Sequence, residues 1–287
     1  MKKVILKNLL HQSMMEKDGV LKVDLLDQKT LDEVYRIFCA FFPNYENEIK
    51  NTYYFSIFHN SKEELMQMHL QSVEILKEKL DLILVDYKIL GVVFQVKGVG
   101  PDSFVNIHQD LTVIDESKYS ALTCWFSLSD SNQQNGAIHF LKGSHNLFRG
   151  FRAHTLSDYQ FSEVEAYIIK NSEIQSTKIG EVLFFDPATI HFSKPNVANQ
   201  PRISLSLSIV HKDAEPHIGF YDQNKNEQIE LYKVPDDFWY IYDDFSSERL
   251  IRPIFGKYVK SIYNNFNEKF NYSKFVIDYE KYRSIKD

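Results

Sequence analysis

The sequence predicts a mainly β fold with flanking helices, a double-stranded β-helix or jelly roll of the cupin type. Three observations point there. From about residue 89 to residue 210 apolar residues recur with period two in short runs. Gly, Pro, Asn and Asp turns separate those runs, and no helical pattern intervenes between them. Short strands without crossover helices do not build a parallel α/β sheet, whereas two stacked antiparallel sheets accommodate them.

Taken in order, residues 12–25 read as a helical turn, a break at Gly19 and a strand from Val20 to Val23. Thr30-Leu-Asp-Glu33 has the form of a capping box, followed by Leu31, Val34, Phe38 and Phe41 on one helical face that Pro43 terminates. A second capping box, Ser61-Lys-Glu-Glu64, opens an amphipathic helix with Leu65, Met68, Ser72, Leu76 and Leu80 on its stripe. Strands are expected over 92–97, 104–108, 121–128, 137–141, 180–185 and 202–210. Beyond 213 an aromatic stretch at 238–245 precedes a charged, helix-like segment at 257–270.

At 287 residues, 44% hydrophobic, the chain can bury a large core and is expected to be a single domain. Residues 1–88 form a helical buttress, 89–212 the jelly-roll core, and 213–287 an extension that packs on the core or closes as a lid. The loop 146–176 is a second candidate lid. The net charge of −6 argues against a nucleic-acid groove, which needs a basic stripe. It also weighs mildly against a bulky polyphosphate handle. Cys39 and Cys124 sit in apolar surroundings and read as reduced core cysteines. Nothing reads as a signal peptide or membrane span, so a cytoplasmic location is expected.

The chemistry starts at Asn106-Ile107-His108-Gln109-Asp110. Residues two apart in an extended segment point to one side, so His108 and Asp110 can offer a nitrogen and an oxygen to one metal ion. Two His and one carboxylate on one face of an octahedral ion leave three open positions, which suits non-haem Fe(II). A second His must come from elsewhere, and His139, His145, His154 and His211 compete for the place. His191 is preferred, because a strand-like run precedes it and Arg202 follows eleven residues on. Asp115 and Asp130 read as loop carboxylates. Along 121–128 and 202–210, Thr123, Trp125 and Ser127, and Arg202, Ser204, Ser206 and Ser208, alternate with apolar residues. That polar face is either solvated or lines a hydrated cavity.

His-Gln-Asp, a distant His, Ser at +2 and Arg at +11 from it together resemble the phytanoyl-CoA dioxygenase family of Fe(II)/2-oxoglutarate-dependent dioxygenases. The resemblance covers residues 90–212 well and the last 70 or so hardly at all. It implies Fe(II) held by His108, Asp110 and His191, with O2 and 2-oxoglutarate as cosubstrates. It further implies that Arg202 grips the distal carboxylate of 2-oxoglutarate as a bidentate fork, aided by Ser193. Gln95 and Ser127 match positions that contact 2-oxoglutarate in relatives, and Thr123 and Trp125 share the cavity face. With Asp110 present the implied outcome is hydroxylation of an unactivated C–H bond of a small molecule, with 2-oxoglutarate converted to succinate. Desaturation or oxidative cyclisation would use the same ligands. The family's range spans amino acids, natural-product intermediates, acyl thioesters and carrier-bound groups. Two other classes stand beside it: a cupin-type metalloenzyme without 2-oxoglutarate, which has no need of Arg202, and a non-catalytic jelly-roll binding module.

Overall fold

The computed structural model describes residues 2–153, 161–221, 228–241, 253, 256–263 and 272–286. Its elements in chain order are α1 (Leu9–Asp18), β1 (Val20–Asp24), α2 (Gln28–Phe41), α3 (Tyr45–Glu48), β2 (Tyr53–Phe55), α4 (Lys62–Ile83), β3 (Tyr87–Lys97), β4 (Val105–His108) and β5 (Ala121–Ser127). There follow β6 (Ile138–Phe140), α5 (Glu165–Asn171), β7 (Glu173–Gln175), β8 (Glu181–Phe185), β9 (His191–Ser193), β10 (Arg202–His211), β11 (His217–Tyr221), β12 (Gln228–Lys233), α6 (Phe238–Ile241), β13 (Lys257–Tyr263) and α7 (Tyr272–Lys286).

The major sheet runs β1-β8-β5-β10-β3-β2 and the minor sheet β4-β9-β6-β7, all pairs antiparallel. The mainly β, jelly-roll expectation therefore holds. β11, β12 and β13 form a third, three-stranded sheet. Alternation decides which side of the major sheet meets the helices. Val92, Phe94 and Val96 on β3, Leu205, Leu207 and Ile209 on β10, and Leu122, Cys124 and Phe126 on β5 are buried with Leu31, Val34 and Phe38 of α2 and Met68, Leu76 and Leu80 of α4. The helical segments thus cover one face of the sheet and leave the other, with Lys97, Gln95, Arg202, Ser204, Trp125 and Thr123, turned toward the minor sheet.

The second capping box forms as read: the Ser61 hydroxyl accepts from Glu64 N, and the Glu64 carboxylate accepts from Ser61 N. The first does not. Helix α2 begins at Gln28, and the Asp27 carboxylate, not Thr30, caps it by accepting from Thr30 N at 2.8 Å. An acceptor three residues earlier with the same reach wins the competition. Segment 257–263 is a strand, not a helix, because β12 offers it a partner edge; residues 264–270 lie outside the described residues. Loop 146–176 carries α5 and β7, while 154–160, including His154, lie outside the described residues. In α7, Phe275 and Tyr279 are buried with Ile107, Ile168 and Phe192, so this part of the extension packs on the core. Cys39 and Cys124 are free, and burial pushes the Cys124 thiol well above its ordinary range. No helix among the described residues is long and apolar enough to cross a membrane.

Candidate metal centre and anion clamp

His108 ends β4 and His191 begins β9, and the two are register partners across the minor sheet. Their rings lie 4.1 Å apart between centroids. Asp110 follows two residues after β4, and its N–H donates to the Pro187 carbonyl at 2.8 Å, which ties it to the turn leading into His191. The Gln109 amide donates to Ala188 O of the same turn and to Phe148 O. The result is one cluster in which the ligand atoms of His108, Asp110 and His191 lie within 4.8 Å of one another. His108 Nε2 and His191 Nε2 are each 3.7 Å from Asp110 Oδ1.

The protonation pattern suits a metal ion. His108 Nδ1 stands 2.7 Å from Asn106 O, and His191 Nδ1 stands 2.9 Å from Thr189 O. A carbonyl only accepts, so both Nδ1 atoms carry the proton and both Nε2 lone pairs face the cluster. Burial, then the neighbouring His108, lowers the His191 pKa to about 4 against the pull of Asp110, which keeps the ring neutral. The Thr123 hydroxyl donates to Asp110 Oδ2 at 2.7 Å. That leaves Oδ1 as the oxygen turned to both imidazoles. The set can hold one divalent ion on one face.

The competing imidazoles go elsewhere. His139 stacks on Phe192 at 4.8 Å, His211 accepts from Asp213 N, and buried His145 fits against the Gly19 turn. Asp115 bonds Ser117 and Lys118, and Asp130 bonds Lys178 and Ile179 N.

Along the strands from this cluster lies a second feature. Arg202 is 1% exposed, donates from Nη1 to Ser131 Oγ and Gly136 O, and rests over the Trp125 ring at 5.0 Å. Its Nε and Nη2 have no hydrogen-bond partner among the described residues. Its register partner on β3 is Lys97, also fully buried, whose Nζ donates to Ser193 Oγ at 2.8 Å and to Ser103 O and lies over the Tyr53 ring. Neither cation has a carboxylate partner among the described residues. Burial, with the Arg202 charge second, lowers the Lys97 pKa to about 6. A buried guanidinium with unpartnered N–H groups, next to a buried lysine that an anion would help to charge and with no carboxylate partner among the described residues, forms a site that wants an anion.

Gln95 sits on the same face, its Oε1 accepting from Tyr53 Oη at 2.9 Å, Trp125 Nε1 at 3.2 Å and Ser204 Oγ at 3.4 Å. Ser127 is turned to its own strand pair, donating to Ile203 O. The structure thus gathers Arg202, Ser193, Gln95 and Trp125 around the clamp, gives Thr123 to the metal ligand, and uses the Ser127 hydroxyl within the sheet.

Sequence reasoning passed over Lys97 and Tyr53. Lys97 stood in the alternating run of β3, in phase with Gln95, and a lysine at an inward position was the available signal. It also passed over a brace behind Asp110: Arg152 donates from Nε to Asp110 O at 2.6 Å and pairs with Glu116, while Arg149 bridges Glu116 and Asp186 at 3.2 and 2.6 Å. Nothing local in the sequence marks those four as partners.

A model of the family described as phytanoyl-CoA dioxygenase (PhyH) matches residues 15–204, well over half of the 287. The chain belongs to the phytanoyl-CoA dioxygenase family. A family relative, the phytanoyl-CoA dioxygenase domain-containing protein 1 homolog of Dictyostelium discoideum, is 25% identical over 130 residues, 43% of this chain. The chain spans about half the length of that relative, 46%. Among solved structures it is similar in fold to HygX from Streptomyces hygroscopicus with nickel and 2-oxoglutarate bound (TM-score 0.52, 12% identity, 71% of this chain and 87% of that one). AviO1 from Streptomyces viridochromogenes Tue57 gives a TM-score of 0.51 at 13% identity over 74% and 98% of the two chains. These likenesses concern the fold.

Proposed function

We propose that the protein is an Fe(II)/2-oxoglutarate-dependent dioxygenase that hydroxylates an unactivated C–H bond of a small molecule. The observation that carries the reading is the pairing of two features between the same two sheets: a His–Asp–His cluster with both Nε2 atoms presented, and the buried Arg202 and Lys97 without a carboxylate partner among the described residues, linked to the cluster's strand by the Lys97–Ser193 bond. A 2-His-1-carboxylate set with open positions suits non-haem Fe(II), and a dicarboxylate can reach from there to the clamp. Membership of the family and the 2-oxoglutarate named in the HygX structure support it.

In this reading His108, Asp110 and His191 hold Fe(II), and Thr123 and Arg152 fix the Asp110 carboxylate and backbone. Bound iron with 2-oxoglutarate supplies the O2-dependent oxidation of the substrate, releasing CO2 and succinate. Arg202 offers its Nε and Nη2 donors to the distal carboxylate, Trp125 supports the guanidinium from below, and Lys97 adds a second charge with Ser193 beside it. Gln95 orders Tyr53 and Trp125 at the same end. A cupin-type enzyme without 2-oxoglutarate would leave Arg202 and Lys97 uncompensated, which disfavours that alternative.

The test is Fe(II)-dependent conversion of 2-oxoglutarate to succinate, with products from a substrate panel read by mass. A product gaining one oxygen is expected, and a product merely short of two hydrogens would move the assignment to desaturation or cyclisation. Absence of succinate with iron, O2 and every panel member would sink the oxygenase reading.

A further inference from the structure

Residues 205–287 lie beyond the family match, and part of that extension reaches the major-sheet face whose Thr123 contacts the metal cluster. On this face β3 and β10 set Gly91 opposite Ser208, and β10 and β5 set Ser208 opposite Thr123, whose hydroxyl holds Asp110. At one strand spacing per step, Gly91 stands about 10 Å from Thr123. It is therefore level with the ligand cluster, with one strand between. The space over Gly91 belongs to the Trp239 indole: a Cβ at position 91 would lie 2.8 Å from Trp239 Cδ1. Only a glycine allows so close an approach.

Neighbouring residues hold the indole there. The Tyr240 hydroxyl accepts from Val92 N at 2.9 Å and bonds His69 Nδ1 at 2.7 Å, which docks α6 on the stretch of β3 edge that β2 leaves unpaired. Phe238 is buried with Leu90, Val210, Val113 and Ile218, closing the sheet beyond the Gly91 level. Along β10 the inner face thus runs from Arg202 at the anion end, through Ser204, Ser206 and Ser208, to Val210 under this apolar plug. Ser206 and Ser208 are half-buried, while Leu205, Leu207 and Ile209 on the opposite face are fully buried. The accessible surface that Ser206 and Ser208 keep marks a chamber on this face. Val93 on the same face, Leu111 next to Asp110, and Trp239 are half-buried apolar residues.

We propose that Trp239 is the substrate-recognising wall of this chamber, and that the substrate presents to it a neutral, apolar ring or chain next to the C–H bond that is oxidised. An indole offers a broad apolar face suited to rings and alkyl groups, and Ser206 and Ser208 can bond one or two hydroxyl or carbonyl groups. The chemistry rests on the oxygenase reading above; the chamber does not.

The chain holds two tryptophans, Trp125 under the anion clamp and Trp239 here, so the two sites report separately. The probe is N-phenyl-1-naphthylamine, a neutral aromatic fluorophore, titrated into the full-length protein with Mn(II) and 2-oxoglutarate under anaerobic conditions. The wild type should bind it saturably and quench Trp239. Trp239→Phe should stay within about threefold in affinity, and Trp239→Ala should weaken binding at least about tenfold, near 1.4 kcal/mol. Gly91→Ala, which keeps the indole but displaces it, should weaken binding likewise while thermal melting shows a folded protein. Unchanged probe affinity in both Trp239→Ala and Gly91→Ala would overturn the assignment of the wall. In Trp239→Phe, 2-oxoglutarate should still quench Trp125. If the probe results hold but that quench is missing, the oxygenase reading fails and the apolar wall stands.

Discussion

With one oxygen of Asp110 taken by the Thr123 hydroxyl, the carboxylate has a single oxygen to offer and a fixed rotation. Replacing Thr123 by Val removes the bond at nearly constant volume, and metal affinity should fall about 10- to 100-fold, the usual effect of losing such a partner. Titration with Mn(II) followed by paramagnetic resonance would measure it, and equal affinity would show that Thr123 does not orient the ligand. At the clamp, Arg202→Lys keeps the charge but not the planar fork. Loss of a charge-assisted hydrogen bond should weaken 2-oxoglutarate by about 1.5–3 kcal/mol with metal binding retained. Lys97 makes the clamp pH-dependent. With its pKa lowered to about 6, the free protein holds it neutral above that value, and a bound dianion favours the charged form. Binding therefore takes up a proton, so affinity for 2-oxoglutarate should rise as pH falls from 8 toward 6 and lose that slope in Lys97→Met. Calorimetry in two buffers of different ionisation heat reads the proton uptake directly.

At the scale of elements, the site depends on two short connections. Gly19, at φ +74°, closes α1 and lets β1 begin at once, and its carbonyl accepts from Asp186 N and the Thr189 hydroxyl. A side chain there would strain the backbone and strike Thr189 Oγ1 at 2.3 Å and His145 Nδ1 at 2.4 Å. That turn abuts residues 186–190, the lead into His191, so Gly19→Ala should lower both the melting temperature and metal affinity. A variant that lost stability but bound Mn(II) normally would show that the α1–β1 turn does not set the position of His191. The bond pair at Tyr240 plays the matching role for α6 on the β3 edge, and this is what brings Trp239 over Gly91.

For the whole molecule, the Arg202 guanidinium is buried without a carboxylate partner among the described residues, and Lys97 gains its charge beside it only when an anion is present, so a bound dicarboxylate removes an electrostatic penalty that the free protein carries. The melting temperature should rise with the logarithm of 2-oxoglutarate concentration in wild type and stay flat in a double variant Lys97→Met/Arg202→Met. Lys97 also sets a sign for the unliganded protein. Its pKa is about 6 when folded and near the ordinary 10.5 when unfolded, so between those values the unfolded chain binds more protons. The Lys97 contribution to stability therefore rises with pH across that window. Denaturant midpoints of wild type and Lys97→Met at pH 7 and 9 check it: the wild type should gain relative to the variant at the higher pH, and a parallel response would contradict the buried, depressed lysine.

By itself the sequence determined the elements whose signals are local. Period-two alternation marked β3, β5 and β10 because each has one face against the helices, and Ser61 with Glu64 marked the start of α4 because a capping box closes within one turn. His108 and Asp110 were legible as one pair because extended residues two apart share a side. Tertiary structure alone decided what depends on distant partners. Only the β4–β9 register brings His191 to that pair while His139, His145 and His211 are held elsewhere. Asp27 took the cap from Thr30, segment 257–263 became a strand because β12 had a free edge, and Ser127 spent its hydroxyl on Ile203. Lys97 gained its meaning from standing beside Arg202 with no carboxylate partner among the described residues, and Trp239 from the bare backbone of Gly91, 148 positions away along the chain. A local pattern specifies which face a side chain takes; whether that face meets solvent, core or a reacting centre is fixed by which strands lie next to it.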